Sequence, residues 1–252
     1  MAFKDQLLLP LSVDKKQACP TFLKGVHNQA AWAWVKRWPD WPKRGLVVTS
    51  PGGSGAGYLG DLWRQTAGAF CMLPPTDVLS ESAVPQVHEN LSRVFGTDAK
   101  PALWCPDFHR WLLGAQNQRL LLALYNAVQE RGGSILLTGR LPNYSDVLPD
   151  LSSRLKALPV ASVGIPDDGF FKEFLAHLFK QKQMAAPANV ITFLLHRLPR
   201  KMGFAASVVE RLAKESLKQK KAISFAFLKQ HEHVWQDEIL GAPKDASLST
   251  VG

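Results

Sequence analysis

The stretch GLVVTSPGGSGAG at residues 45–57 decides the fold. Its first five residues are a short apolar run, which is typical of a strand buried on both faces. Residues 50–57 are a glycine-rich turn, and residues 58–70 have the apolar spacing of a helix. A strand, a glycine-rich loop and a helix in this order are typical of the first unit of a parallel α/β domain.

The same alternation continues along the chain. Residues 102–105 and 134–138 are further strand candidates, and the helical pattern of residues 116–130 lies between them. Upstream, residues 27–38 have helical spacing that ends before Pro39 and Pro42. From Asp168 onward the pattern is helical only, over residues 170–181, 188–197, 204–220 and 225–231. The sequence therefore predicts a parallel sheet with flanking helices, followed by a small all-α domain.

These patterns divide the chain into four parts. Residues 1–20 are predicted to be an extended arm broken by Pro10 and Pro20, and residues 21–165 an α/β base domain. Residues 166–240 are the helical domain, and residues 241–252 are small and polar, which predicts a flexible tail.

Composition limits the class of protein without deciding the function. The 252 residues are 46% apolar, which is enough for a sizeable core, and 30 basic against 21 acidic residues give a charge of +9. This positive charge is compatible with nucleic-acid binding, but it could also serve only to keep the protein soluble. The densest basic run, residues 214–221, is typical of a solvated helix face.

The cysteines and the hydropathy favour a cytoplasmic protein. The three cysteines are scattered, which suits reduced thiols rather than disulfides, and no Cys/His cluster has zinc spacing. The sequence contains no run of about 18 apolar residues, the length that would predict a membrane helix. Its first residues lack the apolar core of a secretory signal. We therefore expect no metal site and no membrane contact.

The glycine-rich loop stands where a phosphate-binding loop follows the first strand, but it lacks the usual chemistry. Such a loop needs glycines, a lysine for the β- and γ-phosphates, and a Ser or Thr for magnesium. Ser50 replaces the leading glycine, Ala56 stands at the lysine position and Gly57 at the Ser/Thr position. The remaining candidates to bind a nucleotide are backbone groups, at Gly52, Gly53 and Gly55.

The second magnesium position is also changed. The strand at residues 103–105 is followed by Pro106, where a carboxylate is needed, and then by Asp107. A proline side chain cannot bind a cation, so a metal ligand is missing here. This agrees with the missing lysine at Ala56 and the missing Ser/Thr at Gly57. The sequence predicts a degenerate ATPase site, and the alternative is a simple tight turn between a strand and a helix.

The N-terminal arm carries the first family resemblance. Residues 6–11, QLLLPL, resemble the QL-x-LPL motif with which the Hda family, regulators homologous to DnaA, binds the sliding clamp. In such a motif the glutamine enters a polar pocket and the leucines an apolar one. The resemblance implies that the clamp is bound by Gln6, Leu7, Leu9, Pro10 and Leu11. The alternative is an edge strand or a tether that packs on its own domain.

Two further segments resemble the same family. Residues 148–155, LPDLSSRL, resemble its Box VII, in which the arginine is a finger offered to a neighbour's ATP; Arg154 is that residue here. The alternative is an ordinary surface or ion-paired arginine. Residues 197–200, RLPR, resemble the segment whose second arginine contacts the protein's own nucleotide, which makes Arg200 the counterpart. With a degenerate loop, we expect Arg200 to be structural and to bridge the two domains.

The resemblance extends over residues 6 to about 231. It implies a AAA+ base domain with a helical lid, and a regulatory function. The protein is expected to be a negative regulator of replication initiation that binds the DNA-loaded clamp, and DNA only through it. It is expected to promote hydrolysis of DnaA-bound ATP in trans, as an activator rather than an enzyme. No cofactor is expected, although ADP or ATP bound by the loop backbone stays open. The alternatives are a residual ATPase and a clamp-loader-like, DNA-binding scaffold.

Overall fold

Five parallel strands form the sheet of the first structural unit, in the order β2-β3-β4-β1-β5. The computed structural model describes residues 23–75 and 100–232. Among these, one unit contains the chain up to Pro166 together with Lys201–Gly203, and the other contains Asp167–Arg200 and the chain from Phe204.

The elements of the first unit alternate between helices and strands. They are α1 (Gln29–Val35), a 3-10 turn (Pro42–Arg44), β1 (Gly45–Thr49), α2 (Ala56–Ala67), β2 (Phe70–Cys71), β3 (Ala102–Cys105), α3 (Phe108–Trp111), α4 (Ala115–Glu130), β4 (Ser134–Gly139), α5 (Pro149–Lys156) and β5 (Val160–Ser162). β1 lies between β4 and β5, with Val47 opposite both Leu137 and Val160. The predicted α/β sheet with flanking helices is confirmed.

The sheet is buried on both faces. One face packs with Phe108, Leu121 and Leu155 from α3, α4 and α5, and the other with Val35, Leu59 and Trp63 from α1 and α2. All residues of β1 and β3 are buried, which explains why these strands are continuous apolar runs in the sequence.

Helix α2 ends earlier than the sequence pattern predicts. Gly68 follows it with φ of 61°, and a left-handed glycine at this position ends a helix. Phe70 therefore belongs to β2 and not to the helix, so the predicted helix over residues 58–70 is wrong at its end.

Gly60 gives α2 its close approach to the sheet. A Cβ at Gly60 would clash with the indole of Trp104, whose ring nitrogen donates a 3.0 Å hydrogen bond to Oγ1 of Thr138. Gly57, one turn earlier on the same helix, has no heavy atom within 4 Å of its Cβ position. Packing against Trp104 therefore restricts position 60 to glycine, whereas position 57 has room for a larger residue.

We expect Gly60→Ala to lower the free energy of unfolding by about 1–3 kcal/mol, because the added methyl must displace a buried indole. Gly57→Ala is the matched control, and we expect it to raise that free energy by about 0.5–1 kcal/mol, since alanine is the better helix former. Urea denaturation of both variants measures the difference. A Gly60→Ala protein as stable as the parent would mean that Trp104 moves at no cost.

The second unit is helical within the described residues. It is built from α6 (Asp168–Gln181), α7 (Ala188–Arg197), α9 (Phe225–Gln230) and α8 (Met202–Gln219), whose first two residues belong to the first unit. Side chains of Asp167 and Ser224 cap α6 and α9 by accepting hydrogen bonds from Phe170 N and Phe227 N. The predicted all-α domain is confirmed. None of the helices in the described part of the chain has the length and apolarity needed to cross a membrane.

The two cysteines that the structure describes are buried and reduced. Burial raises the pKa of the Cys71 thiol to about 11 and also raises that of Cys105. Neither thiol is a reactive thiolate at neutral pH, so both act as small apolar side chains.

Candidate functional site

The glycine-rich loop joins the carboxyl end of β1 to α2. Ser50 N donates to Gly139 O at 2.9 Å, and Ser54 N donates to Pro51 O at 3.0 Å, which closes a turn. Gly53 and Gly55 have φ of 86° and 119°, in the region that favours glycine. The backbone itself therefore requires glycine at these two predicted positions.

Arg140, which follows β4, lies against this loop. A Cβ built on Gly52 would be 2.9 Å from Nη2 and 3.2 Å from Nε of Arg140, so the guanidinium occupies the space beside that glycine. The main-chain N of Arg140 is 3.4 Å from Nδ1 of His109 on α3, which helps to hold this corner. A side chain at position 52 would therefore have to displace the guanidinium of Arg140.

Lys201, which belongs to the same unit, lies beside Gly53. Its Cβ and Cγ are each 2.9 Å from a Cβ built on that glycine, and Met202 N donates to Gly53 O at 2.7 Å. The flanks of Gly52 and Gly53 are therefore covered by the side chains of two basic residues.

The residues present do not fit a magnesium–nucleotide phosphate site. Ala56, at the lysine position, is a buried alanine, and Gly57 has no side chain to ligate a metal. Pro106 follows β3 where a carboxylate is needed. Among the described residues, no three His, Cys, Asp or Glu side chains are grouped so that they could hold a metal ion.

Arg154 lies on α5, where Leu151, Ser152 and Leu155 form the buried face. Its side chain is 40% exposed, and its Nε donates to Oδ1 of Asp150, one turn earlier, at 3.0 Å. An exposed pair within one helix contributes only about 0.3–0.5 kcal/mol. The guanidinium can therefore exchange Asp150 for a stronger anionic partner at little cost.

Tyr125 of α4 lies beneath Arg154, whose Cζ is 5.9 Å from the ring centroid. Burial raises the pKa of the Tyr125 phenol, and the nearby Arg154 cation opposes that rise. The aromatic ring supports one side of the guanidinium and leaves the remainder of it accessible.

Gln118 is a positioning residue that the sequence pattern did not single out. Its buried Nε2 donates to Leu112 O and Asp146 O at 2.9 and 3.0 Å, and its Oε1 accepts from Leu148 N at 2.7 Å. Leu148 immediately precedes α5, so this amide fixes the start of the helix that carries Arg154. The available signal was a polar glutamine among the buried, mostly apolar residues of α4.

Arg200 contacts other residues of the helical unit. Its Nε donates to Oδ1 of Asp168 at 3.0 Å, and its Nη1 donates to Leu195 O at 2.6 Å. Its Cζ is 4.9 Å from the Phe171 ring centroid. These contacts stabilise the helical domain itself, and the bridge between the two domains stays a prediction.

The predicted clamp-binding residues, Gln6, Leu7, Leu9, Pro10 and Leu11, lie outside the described residues. Their role stays a prediction.

The comparisons with known proteins agree with the fold. The protein family described as Hda, lid domain, matches residues 172–231, which are the helices of the second unit. No curated protein matches the chain. Domain III of Thermotoga maritima DnaA is similar in fold, with a TM-score of 0.62 and 16% identity over 83% of this chain and 94% of that one.

Two further solved structures are similar. AMPPCP-bound DnaA from Aquifex aeolicus gives a TM-score of 0.56 with 15% identity, over 87% of this chain and 69% of that one. Thermotoga maritima RuvB gives 0.53 with 13% identity, over 82% and 66%. Residues 172–231 thus match the Hda lid family, and the fold of the chain is similar to that of the DnaA AAA+ domain.

Proposed function

We propose that this chain is an Hda-like negative regulator of replication initiation. It binds the DNA-loaded sliding clamp through residues 6–11 and promotes hydrolysis of DnaA-bound ATP in trans, in the cytoplasm. The observation that carries the proposal is the accessible guanidinium of Arg154, on a helix of a DnaA-type fold whose own phosphate loop lacks a lysine. The Hda lid match at residues 172–231 supports the same family of activities.

The chemistry asked of Arg154 is electrostatic. ATP hydrolysis develops negative charge on the transferred phosphoryl group, and a planar, permanently charged guanidinium meets two of its oxygens at once. In this proposal the ATP, its magnesium and the attacking water belong to DnaA. This chain supplies the arginine, held at the right place by α5 and by the Gln118 hydrogen bonds at its start.

The experiment that tests the function is single-turnover hydrolysis of ATP preloaded on DnaA. We expect acceleration only when this protein, the clamp and DNA are present together. Omission of the clamp is the control that separates clamp-dependent action from a direct effect on DnaA. Unchanged hydrolysis in the complete mixture would overturn the proposal.

We further propose that the protein acts without a nucleotide of its own. We expect no magnesium-dependent ATP hydrolysis and little affinity for ADP or ATP, because Ala56, Gly57 and Pro106 remove the ammonium and both metal ligands. Titration with fluorescent ADP and ATP measures this, with DnaA as the positive control. ADP retained through purification would show instead that the loop backbone suffices, and would favour a residual nucleotide-binding protein.

A further inference from the structure

Basic residues are concentrated at one end of the α/β unit, away from the glycine-rich loop. The end where the strands begin carries six of them, which we name the basic end cluster: Lys36, Arg37, Lys43, Arg44, Lys100 and Arg131. The first two follow α1, the next two directly precede β1, and the others precede β3 and β4.

Hydrogen bonds and close contacts bring these segments together. α1 begins near the carboxyl end of β5, where Gly164 N donates to His27 O at 2.8 Å, and it runs toward the opposite end of the sheet. There Trp41 Nε1 donates to Trp34 O at 2.8 Å, which ties the end of α1 to the turn before β1.

The turns before β3 and β4 lie at the same end. Nη1 of Arg44 is 3.8 Å from the Cβ position of Gly132, in the turn that follows Arg131. Ser134 N donates to Pro101 O at 2.8 Å, which places Lys100 beside that turn.

Among the residues that the structure describes, few carboxylates balance this charge. Residues 36–44 contain one acidic residue, Asp40, and Glu130 precedes Arg131. Within the described part of the chain, Lys36, Arg37, Lys43 and Arg44 form no ion pair. The lysine-rich run on α8 differs, because Lys214 lies 3.0 Å from Glu210 and Lys218 lies 3.9 Å from Glu215. The basic end cluster is therefore the less neutralised of the two.

The local backbone holds two of these cations at a conformational cost. Lys43 and Arg44 have φ of 52° and 50°, in the left-handed region, which costs roughly 1–2 kcal/mol per residue for a side chain other than glycine. Glycine would relieve that strain and would also remove the charges. Arg37 is held as well, since its Cζ lies 4.5 Å from the Trp34 ring centroid.

We propose that the basic end cluster binds the phosphate backbone of duplex DNA without regard to sequence. Lys36, Arg37, Lys43 and Arg44 are exposed and form no ion pair with another described residue. Such cations suit a regular polyanion, which rewards each Lys or Arg by releasing counterions. Arg37 lies over one face of the Trp34 ring and competes there with stacking on bases, which favours duplex over single-stranded DNA. No exposed large apolar side chain occurs in residues 36–44, so a membrane anchor is missing there.

This inference goes beyond the proposed function and does not depend on it. In the proposed function, the chain reaches DNA only through the clamp. Here the chain contacts duplex DNA itself, through a surface of the base domain that the clamp motif and Arg154 do not use.

The proposal is tested by binding of the full chain to a fluorescently labelled random-sequence DNA duplex, measured by fluorescence anisotropy at several salt concentrations. The variant neutralises four cations: Lys36→Gln, Arg37→Gln, Lys43→Gln and Arg44→Gln. Four phosphate contacts at a slope of about 0.9 each should make the parent's affinity fall about 100-fold between 50 and 200 mM salt, and the variant should lose most of that dependence.

Two further variants make the result specific. Neutralisation of Lys214, Lys218, Lys220 and Lys221 to Gln removes the same charge from the lid and should leave duplex affinity within about threefold of the parent. Lys43→Gly with Arg44→Gly should melt at or above the parent temperature, because glycine tolerates positive φ, while about half of the salt dependence disappears.

The proposal is overturned if the lid variant loses as much affinity as the cluster variant, because net charge alone then drives binding. It is also overturned if the parent does not bind the duplex at low salt, or if it prefers single-stranded DNA or anionic phospholipid vesicles at equal phosphate concentration.

Discussion

The Arg154→Ala protein is expected to fold normally and bind the clamp, but to lose the stimulation of DnaA ATP hydrolysis. An arginine finger supplied in trans is worth roughly 10³-fold or more in rate, so the loss should be plain in single-turnover hydrolysis of DnaA-bound ATP. Folding should not suffer, because the ion pair of Arg154 with Asp150 is exposed and contributes little to stability.

Arg154→Lys should also fail to restore most of the rate. A lysine keeps the charge, but its ammonium is a point donor and cannot meet two phosphoryl oxygens as a planar fork does. The comparison of alanine and lysine variants therefore separates a requirement for the guanidinium from a requirement for positive charge.

Two residues of the same helix provide matched controls. Lys156→Ala removes another exposed cation from α5 and should leave the stimulated rate unchanged. Asp150→Asn removes the carboxylate that pairs with Arg154 and should preserve stimulation, because the arginine is then freer to meet phosphate. If Arg154→Ala stimulates as well as the parent, the family's finger role does not transfer to this residue, and a scaffold role becomes the better proposal.

The strands that could be predicted are those buried on both faces. β1, β3 and β4 are continuous apolar runs, so their residues stand out against the flanking turns. β2 and β5 have two and three residues and lie at the sheet edges, and β5 is exposed at both ends. Such short strands have no readable period and are defined by the neighbours with which they pair.

Local parts of the candidate site could also be predicted. The glycines of the loop at residues 52–55 and the helix that carries Arg154 are local features, visible as motifs in a single segment. The contact of Arg140 with Gly52 is different, because it depends on β4 lying beside β1, with Gly139 opposite Thr49. Likewise, Gln118 serves α5 only because α4 packs beside it. The sequence alone does not state which strands and helices are neighbours.

Replacing Gln6, Leu9 and Leu11 of the arm by alanine is expected to weaken clamp binding about 100-fold or more. If each leucine side chain buried on the clamp contributes about 1.5 kcal/mol or more, the two together account for about that factor. Surface plasmon resonance on immobilised clamp measures the affinity. The matched control, Lys15→Ala with Lys16→Ala, changes the arm outside the motif and should bind as the parent does.

The thermal stability of this arm variant decides between a ligand for the clamp and a piece of the core. If the side chains of the motif are buried only against the clamp, the melting temperature should change by less than about 3 °C. This corresponds to a change in the free energy of unfolding of under about 1 kcal/mol for a chain of this size. The variant should also fail to accelerate DnaA ATP hydrolysis on clamp-loaded DNA although it retains Arg154, since the finger is no longer delivered to its partner. A large fall in melting temperature with clamp binding intact would instead show that the arm packs on its own domain.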